Sequence, residues 1–353
     1  MKRNLERLAS SFVAPTMPTM PTMLFLDITS RCPCRCWHCY NNSGEAGPNE
    51  LTTEEIVGIL KEFAESGGAE VRLAGGEPTQ HPDLRRFVDL ADELSLRAIL
   101  VSNGMIDDAT LGSLCGSYLS AFYLSLQGNE GIHDAIRGAG SYAWCLRTAK
   151  RLVEAGKRVR LSMVFHQQNY HCVRHIVEEA AKIGADAAFN PLRPFGKASA
   201  DMMIGAYEHL AMVREIICLR ETHPQLRIDT PWDFLLNAPT SEYNPSEYKR
   251  IGCGNSGLSV TSNGGCYTCG QLSKIPEFCV GNIRHEDMKT IWARAQRSCP
   301  LATAAVAEKC RTCAYLYGSP CFGGCAATAW AVRGSLEAVD PYCFVDLIPR
   351  KMP

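Results

Sequence analysis

The sequence predicts an α/β fold built on a parallel sheet, followed by a small region that is rich in cysteine. From Leu24 to about residue 205, short apolar runs alternate with longer amphipathic ones, which is the pattern of repeated βα units. Past Ile251 cysteine becomes dense, glycine is frequent and the apolar runs are short. We therefore expect one sheet with right-handed crossovers, and a second domain that metal rather than apolar burial organises.

Six apolar runs are the predicted strands of this sheet. They are LFLDI from Leu24, EVRLA from Glu70, RAILVS from Arg97, AFYLSL from Ala121, VRLSMVF from Val159 and AAFNPL from Ala187. Amphipathic helices fill the intervals between them. In the first, TTEEIVGILKEFAES, Thr52 and Glu55 form a predicted capping box. A further helix, MMIGAYEHLAMVREIICLRE, follows the sixth strand.

The chain divides into four predicted segments. Residues 1–22 form an N-terminal extension that includes most of the tract PTMPTMPTM, whose prolines exclude a helix. Residues 23–205 form the α/β domain, 206–250 a helix and a linker, and 251–353 the cysteine-rich domain. Near the linker, the stretch PWDFLLN is expected either to belong to the core or to line a substrate cavity between the domains.

Composition and charge exclude several classes of function. The 353 residues are 46% hydrophobic and 21% charged, as in ordinary globular proteins. A net charge of -1 offers no basic excess to neutralise phosphates, so no nucleic-acid partner is expected. No apolar run approaches the roughly eighteen residues of a membrane span, and the N-terminus lacks a signal peptide. The eighteen cysteines are therefore predicted to be reduced thiols in the cytoplasm.

A first cysteine group lies where the first strand ends, in the stretch SRCPCRCWHCYN. Cys32, Cys36 and Cys39 have the spacing C-x3-C-x2-C. Three thiolates can hold three irons of a [4Fe–4S] cluster, which leaves the fourth iron open for a reaction. The alternative is a zinc site with His38 or Cys34 as its fourth ligand.

The motif LAGGEP closes the second predicted strand. Its glycines, Gly75 and Gly76, would let a ligand approach the backbone closely, and Glu77 offers an acceptor for an ammonium group. One strand after the cysteine triad, this motif favours the iron–sulfur interpretation over the zinc site.

Together the triad and GGEP resemble the radical S-adenosylmethionine (SAM) enzymes, over residues 24 to about 200. The resemblance implies a partial (βα)6 barrel of the TIM type, in agreement with the six predicted strands. It also implies that Cys32, Cys36 and Cys39 hold a cluster whose free iron is chelated by SAM, with Cys34 outside the set. In such enzymes an electron from the cluster cleaves SAM to a 5′-deoxyadenosyl radical, which abstracts hydrogen from a C–H bond.

The same resemblance assigns residues to the cofactor. Gly75, Gly76 and Glu77 would meet the methionine amino group, and His38 would lie near the adenine. Further candidates come from VSNG, LSLQG and HDAIRG: Asn103 and Ser125 for ribose and carboxylate contacts, and Arg137 for pairing with the cofactor carboxylate. The alternatives are turn residues for Asn103 and Ser125 and a surface ion pair for Arg137.

Seven cysteines near the C-terminus resemble the SPASM extension, which carries two auxiliary [4Fe–4S] clusters. One cluster would be held by Cys253, Cys269 and Cys325, with an open iron or with Cys266 as a fourth ligand. The other would have four ligands, Cys310, Cys313, Cys321 and Cys343. Seven residues separate Cys313 from Cys321, where the family usually has five, and a loop tolerates such an insertion. The alternative is a pair of zinc sites.

Most other cysteines are expected to be buried small apolar residues; they are Cys34, Cys115, Cys145, Cys172, Cys279 and Cys299. Cys218, on the helix between the domains, is a candidate hydrogen-atom donor, which an epimerase would require.

SPASM enzymes act mostly on ribosomally made peptides or protein side chains, and smaller groups act on sugars and aminocyclitols. Sulfatase-maturing members place an acidic residue after the cysteine that matches Cys269, and here Gly270 stands there. We therefore predict an oxidoreductase that cross-links or oxidises a peptide, with a flavodoxin or ferredoxin as external reductant. Only about twenty-three residues precede the first strand, so a separate leader-binding protein or direct recognition is expected. The alternatives are an epimerase or dehydrogenase on a sugar or aminocyclitol, and a zinc-stabilised binding module without turnover.

Overall fold

The computed structural model describes residues 18–231, 233–236, 256–273, 275–303, 307–311, 313, 321 and 323–348. Cys253 and most of the linker, including part of PWDFLLN, lie outside these ranges.

The described strands form a single ten-stranded sheet. They are β1 Met23–Thr29, β2 Glu70–Gly75, β3 Arg97–Ser102, β4 Ala121–Ser125, β5 Val159–Phe165, β6 Asp186–Pro191, β7 Ile228–Asp229, β8 Gly257–Val260, β9 Gly265–Tyr267 and β10 Gly281–Asn282. Their order is β10-β9-β8-β1-β2-β3-β4-β5-β6-β7. Strands β1 to β6 pair consecutively and in parallel, which confirms all six predicted strands. The sheet is not closed, so the architecture is a partial barrel.

Helices connect and cover these strands. The main ones are α1 Thr53–Glu65, α2 Leu84–Glu93, α3 Asp108–Cys115, α4 Glu130–Arg137, α5 Ser141–Glu154, α6 Val173–Ile183, α7 Ala206–Thr222 and α8 Met288–Ser298, followed by α9 Pro300–Thr303, α10 Glu308–Arg311 and α11 Ala326–Arg333. In α1 the predicted capping box is present, because the Thr52 hydroxyl accepts from the Glu55 amide and the Glu55 carboxylate accepts from the Thr52 amide. None of the described helices is long and apolar enough to cross a membrane.

Helix α7 begins later than the sequence pattern predicts. The predicted start was Met202, but residues Ala200–Met202 form a short 3₁₀ turn and the helix starts at Ala206. The carbonyls of Met202 and Met203 accept hydrogen bonds from the main chain and the side chain of Gln167. These tertiary contacts use backbone groups that a longer helix would need for itself.

The C-terminal region continues the barrel sheet rather than packing as a separate metal-held unit. Strand β8 lies parallel to β1, with Leu258 opposite Leu24 and Val260 opposite Leu26. All four side chains are buried in one core, which also contains Trp292 of α8. The expectation that metal rather than apolar burial organises this region was therefore wrong for its first half, because short strands can bury apolar side chains by joining an existing sheet.

An arginine attaches this region to the start of the barrel. Arg284 pairs with Glu55 at the N-terminus of α1, at 2.6 Å, and donates to the carbonyls of Asn49 and Glu50. Glu50 in turn accepts from the Ser30 amide at 2.7 Å, so the contacts lead from the C-terminal region to the loop after β1.

Candidate iron–sulfur and cofactor site

The loop after β1, here called the cysteine loop (residues 30–42), is held at its start by one carboxylate. Glu50 accepts hydrogen bonds from the amide and hydroxyl of Ser30, from the hydroxyl of Thr29 and from the amide of Gly47. These bonds lower the pKa of Glu50 against the opposing effect of its partial burial. A fixed loop start matters because Cys32 follows two residues after Ser30.

Cys34 contacts two other thiols of this loop. The Cys34 thiol hydrogen-bonds with the thiols of Cys32 and Cys36, and this contact lowers the pKa of Cys36 to about 6 and that of Cys32 to about 7. The pKa of Cys34 is raised by the same contacts. Cys39 packs against the same small cluster of side chains. Thiols with a lowered pKa are suited to metal ligation, so the chemistry of Cys32 and Cys36 fits the predicted triad.

The glycines of GGEP are required by the cysteine loop. A β-carbon on Gly75, whose φ is +133°, would lie 2.2 Å from the Thr29 carbonyl oxygen. A β-carbon on Gly76 would lie 2.2 Å from the Arg31 oxygen and 2.6 Å from the Ser30 oxygen. Their role as seats for the methionine amino group stays a prediction, whereas their close approach to the loop backbone is a property of the fold.

Glu77 is fully buried and joins two strand ends. Its carboxylate accepts from the Ser102 hydroxyl at 2.8 Å, the Asn103 amide at 2.7 Å and the Thr79 hydroxyl at 2.9 Å. Burial raises its pKa, and these hydrogen bonds oppose that shift. The predicted contact of Glu77 with an ammonium group is untested, but the carboxylate clearly holds the end of β2 against the end of β3.

Asn103 lies against the cysteine loop. Its side-chain amide nitrogen is 3.6 Å from the Cys34 sulfur, and its oxygen accepts from the Met105 amide at 2.7 Å. The structure therefore brings this candidate to the predicted cluster site.

Four buried polar groups near the cysteine loop have no hydrogen-bond partner among the described residues. The atoms are His38 Nδ1, His133 Nε2, Arg137 Nε and His166 Nε2. Trp37 packs against two of them, with its ring 5.0 Å from that of His38 and 4.7 Å from that of His166, and the two imidazole rings are 5.9 Å apart. Arg137 is close enough for its charge to contribute to lowering the pKa of both Cys36 and His38.

Two of these groups are fixed as hydrogen-bond donors. His133 Nδ1 accepts from the Gln127 amide at 3.0 Å, and His166 Nδ1 accepts from the Gln168 amide at 3.2 Å. Burial lowers the pKa of His133 to about 3 and that of His166 to about 4, so both rings are neutral and carry their hydrogen on Nε2. Unsatisfied buried donors are costly, which indicates that a ligand rich in acceptors belongs here.

His38 and Arg137 were predicted for this site from sequence, whereas His133 and His166 were not. His133 lies four residues before Arg137 in HDAIRG and therefore on the same face of α4. His166 directly follows β5, at the carboxyl end of a parallel strand, where ligand-binding residues collect. Both positions are visible in the sequence, but the burial and the tautomer that give them significance are not.

These features fit the groups that the motifs imply. Two acidic thiols and a third cysteine suit an iron–sulfur cluster. Arg137 forms no ion pair within the described part of the chain, contrary to the surface-pair alternative, and its unpartnered Nε suits a carboxylate. The neutral histidines offer donors to an adenosyl or methionine moiety.

Replacing Arg137 with Met is expected to weaken SAM binding. One charge-assisted hydrogen bond contributes about 1.5–3 kcal/mol, so the dissociation constant should rise about 10- to 150-fold. Equilibrium binding of SAM to anaerobic protein measures this effect, with Arg147→Met on the exposed face of α5 as the matched control. An unchanged affinity in Arg137→Met would remove the arginine from the cofactor site.

A second group of cysteines lies around a pocket near the C-terminus. Cys310, Cys313, Cys321 and Cys343 all line this pocket, here called the four-cysteine cavity. The thiols are close enough that neighbouring thiolates help raise the pKa of Cys310 beyond the effect of burial. Among the described residues, no three His, Cys, Asp or Glu side chains are arranged to hold a single metal ion. An iron–sulfur cluster does not require that arrangement, because each thiolate binds a different iron.

Comparisons with known proteins agree with this geometry. The model of the radical SAM superfamily matches residues 26–180, and that of an iron–sulfur cluster-binding domain, SPASM, matches residues 253–314. The chain thus carries a radical SAM domain followed by a SPASM domain. The radical SAM barrel and its SPASM region thus carry iron–sulfur clusters and use SAM. A zinc-stabilised binding module without turnover is not supported.

Relatives match along nearly the whole of this radical SAM enzyme. The PqqA peptide cyclase of Rhizobium meliloti (strain 1021) is 26% identical over 94% of this chain and 89% of its own length. The mycofactocin maturase MftC of Mycobacterium ulcerans (strain Agy99) is 27% identical over 92% of this chain and 88% of its own length.

Solved structures share the fold. Streptococcus suis SuiB, bound to its precursor peptide SuiA, superposes with a TM-score of 0.75 at 18% identity, over 96% of this chain and 79% of that one. The protein anSMEcpe, with bound AdoMet and a peptide, gives a TM-score of 0.74 at 18% identity, over 92% of this chain and 94% of that one.

Two other residues predicted from the sequence, Ser125 and Cys218, are not among the four buried groups without a hydrogen-bond partner. Ser125 ends β4 half-buried, and its carbonyl accepts from the Cys145 thiol at 3.6 Å. Cys218 is exposed on α7, whose buried side chains, such as Ile216 and Leu219, lie on another face. A hydrogen-atom donor must reach a radical that is shielded from water, so the structure does not support this role for Cys218.

The other predicted auxiliary ligands lie partly outside the described residues. Cys269 and Cys325 pack in one apolar cluster with Phe195, in agreement with a shared site, whereas Cys253 is not described. Cys266 instead belongs to the main barrel core. Because neighbouring residues of a strand point to opposite faces, Cys266 faces away from the Tyr267 side, and the structure does not support it as a fourth ligand.

The remaining predictions are confirmed in part. Most of the remaining cysteines are buried as expected, namely Cys34, Cys145, Cys172 and Cys299, whereas Cys115 is half-buried and Cys279 is exposed. Within PWDFLLN, Leu235 is buried and lines the four-cysteine cavity, and Asp233 pairs with Arg220 at 2.6 Å.

Proposed function

We propose that this radical SAM enzyme modifies a ribosomally made peptide. The observation that carries the proposal is the group of buried, unpartnered donors beside acidic thiols, which suits SAM at the carboxyl ends of the barrel strands. The similarity to a peptide cyclase and to a maturase, each along more than nine-tenths of this chain, supports a peptide as the substrate.

Each group of residues has a distinct task in this proposal. When bound, the cluster at the cysteine loop supplies the electron that cleaves SAM into methionine and a 5′-deoxyadenosyl radical, which abstracts hydrogen from the peptide. Cys32, Cys36 and Cys39 hold that cluster. Arg137 orients the SAM carboxylate. The neutral ring of His166, at the end of β5, donates a hydrogen bond from Nε2 to SAM.

We propose three [4Fe–4S] clusters in total. The four-cysteine cavity supports one auxiliary cluster, and the common apolar surroundings of Cys269 and Cys325 support another, with Cys253 as its third ligand. Such clusters can accept the electron that an oxidised product releases. We further propose a flavodoxin or ferredoxin as the external reductant, and a separate leader-binding protein where direct recognition of the peptide is insufficient. We also propose that the enzyme is cytoplasmic. The seventeen free thiols that the structure describes support this location, because the cytoplasm keeps thiols reduced.

The test combines the purified enzyme with peptides encoded beside its gene. Anaerobic protein, reductant and SAM are incubated with each peptide, and mass spectrometry monitors the loss of hydrogen from the peptide together with 5′-deoxyadenosine formation. The proposal expects one peptide to lose two hydrogens per cross-link or oxidation. Turnover of a sugar or aminocyclitol, with no change in any such peptide, would contradict it.

A further inference from the structure

A buried aspartate connects the two predicted auxiliary sites. Asp340 is only 2% exposed, and it also lines the four-cysteine cavity. Its two carboxylate oxygens have different partners. Oδ2 accepts from the backbone amide of Cys325 at 2.6 Å, and Oδ1 accepts from the amide of Tyr342 at 2.9 Å.

Each of these two hydrogen bonds holds a different chain segment that carries a predicted cluster ligand. The Tyr342 bond closes a side-chain turn, and the Asp340 carbonyl additionally accepts from the Cys343 amide at 3.0 Å, so the turn places the last cysteine of the four-cysteine cavity. The Cys325 bond fixes the residue that precedes α11 and lies in the other site, beside Cys269.

The surrounding chain is adapted to this position of the carboxylate. Gly324 has φ +79°, and a β-carbon on it would lie 2.4 Å from the Asp340 Cβ. Only glycine permits the chain to pass this close with that backbone conformation. Arg193 also donates to the Cys325 sulfur at 3.4 Å, so the same cysteine is held both through its backbone amide and through its thiol.

We propose that Asp340 is a positioning residue that makes the two auxiliary clusters assemble as one unit. One carboxylate supplies an acceptor to each ligand segment, so its loss releases Cys325 and Cys343 together. This inference rests on the proposed presence of two auxiliary clusters.

The test removes the carboxylate in a protein that carries only auxiliary clusters. In a Cys32→Ala, Cys36→Ala, Cys39→Ala background, the parent should bind about eight irons per chain, which corresponds to two [4Fe–4S] clusters. Asp340→Ala should reduce this to fewer than about four and weaken both auxiliary signals in the electron paramagnetic resonance spectrum of the reduced protein. Asp340→Asn should lie between the two, because an amide offers only one acceptor for two N–H donors.

The matched control is Glu337→Gln, which neutralises an exposed carboxylate three residues away. It should keep about eight irons and both signals. Retention of both clusters in Asp340→Ala, or the loss of one signal with the other intact, would overturn the proposal. A parent that binds only about four irons would instead contradict the proposed number of clusters, independently of Asp340. Circular dichroism identifies any variant that fails to fold, and Asp340→Asn then decides the outcome.

Discussion

Cys36→Ala is expected to abolish the reductive cleavage of SAM. Cys36 is buried, its hydrogen bond with Cys34 lowers the pKa of its thiol, and it is the central cysteine of the triad. Without it the cluster loses one of only three protein ligands. The rate of 5′-deoxyadenosine formation should fall at least about 1,000-fold, which corresponds to about 4 kcal/mol in activation free energy.

The matched control for this prediction is Cys34→Ala, in the same loop. Cys34 is equally buried, but it lies outside the C-x3-C-x2-C spacing, so it is not expected to be a cluster ligand. We expect this variant to retain the iron of the cysteine loop and SAM cleavage within about threefold of the wild type. If Cys34→Ala lost the cluster while Cys36→Ala kept it, the assignment of ligands in this loop would have to be reversed.

Gly76→Ala is expected to displace the cysteine loop. The added methyl group would lie 2.2 Å from the Arg31 carbonyl oxygen, and a backbone atom cannot swing aside as the end of a side chain can. The hydrogen bond from the Gly76 amide to the Thr29 carbonyl, at 2.8 Å, would be strained at the same time. The free energy of unfolding should fall by more than about 3 kcal/mol, and the cluster of this loop should be lost.

Denaturant unfolding and iron content measure these effects, and Gly58→Ala serves as the control. Gly58 is an exposed residue of α1, and a β-carbon added to it would have no neighbouring atom within 4 Å. The substitution should stabilise the protein by about 0.5–1 kcal/mol, because alanine favours a helix over glycine. A Gly76→Ala protein with unchanged stability and full iron would show that the contact with the cysteine loop does not constrain the site.

The barrel strands could be predicted from sequence because their pattern is local. Each run, such as VRLSMVF in β5, is apolar enough and short enough to be recognised alone. The later start of α7 and the pairing of β8 with β1 could not be predicted in this way. Both depend on contacts with distant residues, Gln167 for the former and Leu24 and Leu26 for the latter.

In the candidate site, too, some residues could be predicted from the sequence and others could not. Spacing together with GGEP predicted the cysteine triad, and the resemblance to the SPASM extension assigned the four cysteines that line the C-terminal cavity, because metal ligation requires those residue types. Spacing did not identify His133 and His166, whose significance depends on burial and on the tautomer that the amides of Gln127 and Gln168 impose. It likewise gave no indication that Asp340 joins two ligand segments, since its partner Cys325 lies fifteen residues away.

The most direct test of the central claim is the formation of 5′-deoxyadenosine by the full chain. Protein prepared without oxygen, with its clusters intact, is reduced with dithionite and given SAM, and the products are separated by chromatography. We predict 5′-deoxyadenosine and methionine in equal amounts, only when both reductant and SAM are present. Fully iron-loaded, reduced protein that binds SAM but releases no 5′-deoxyadenosine would contradict it.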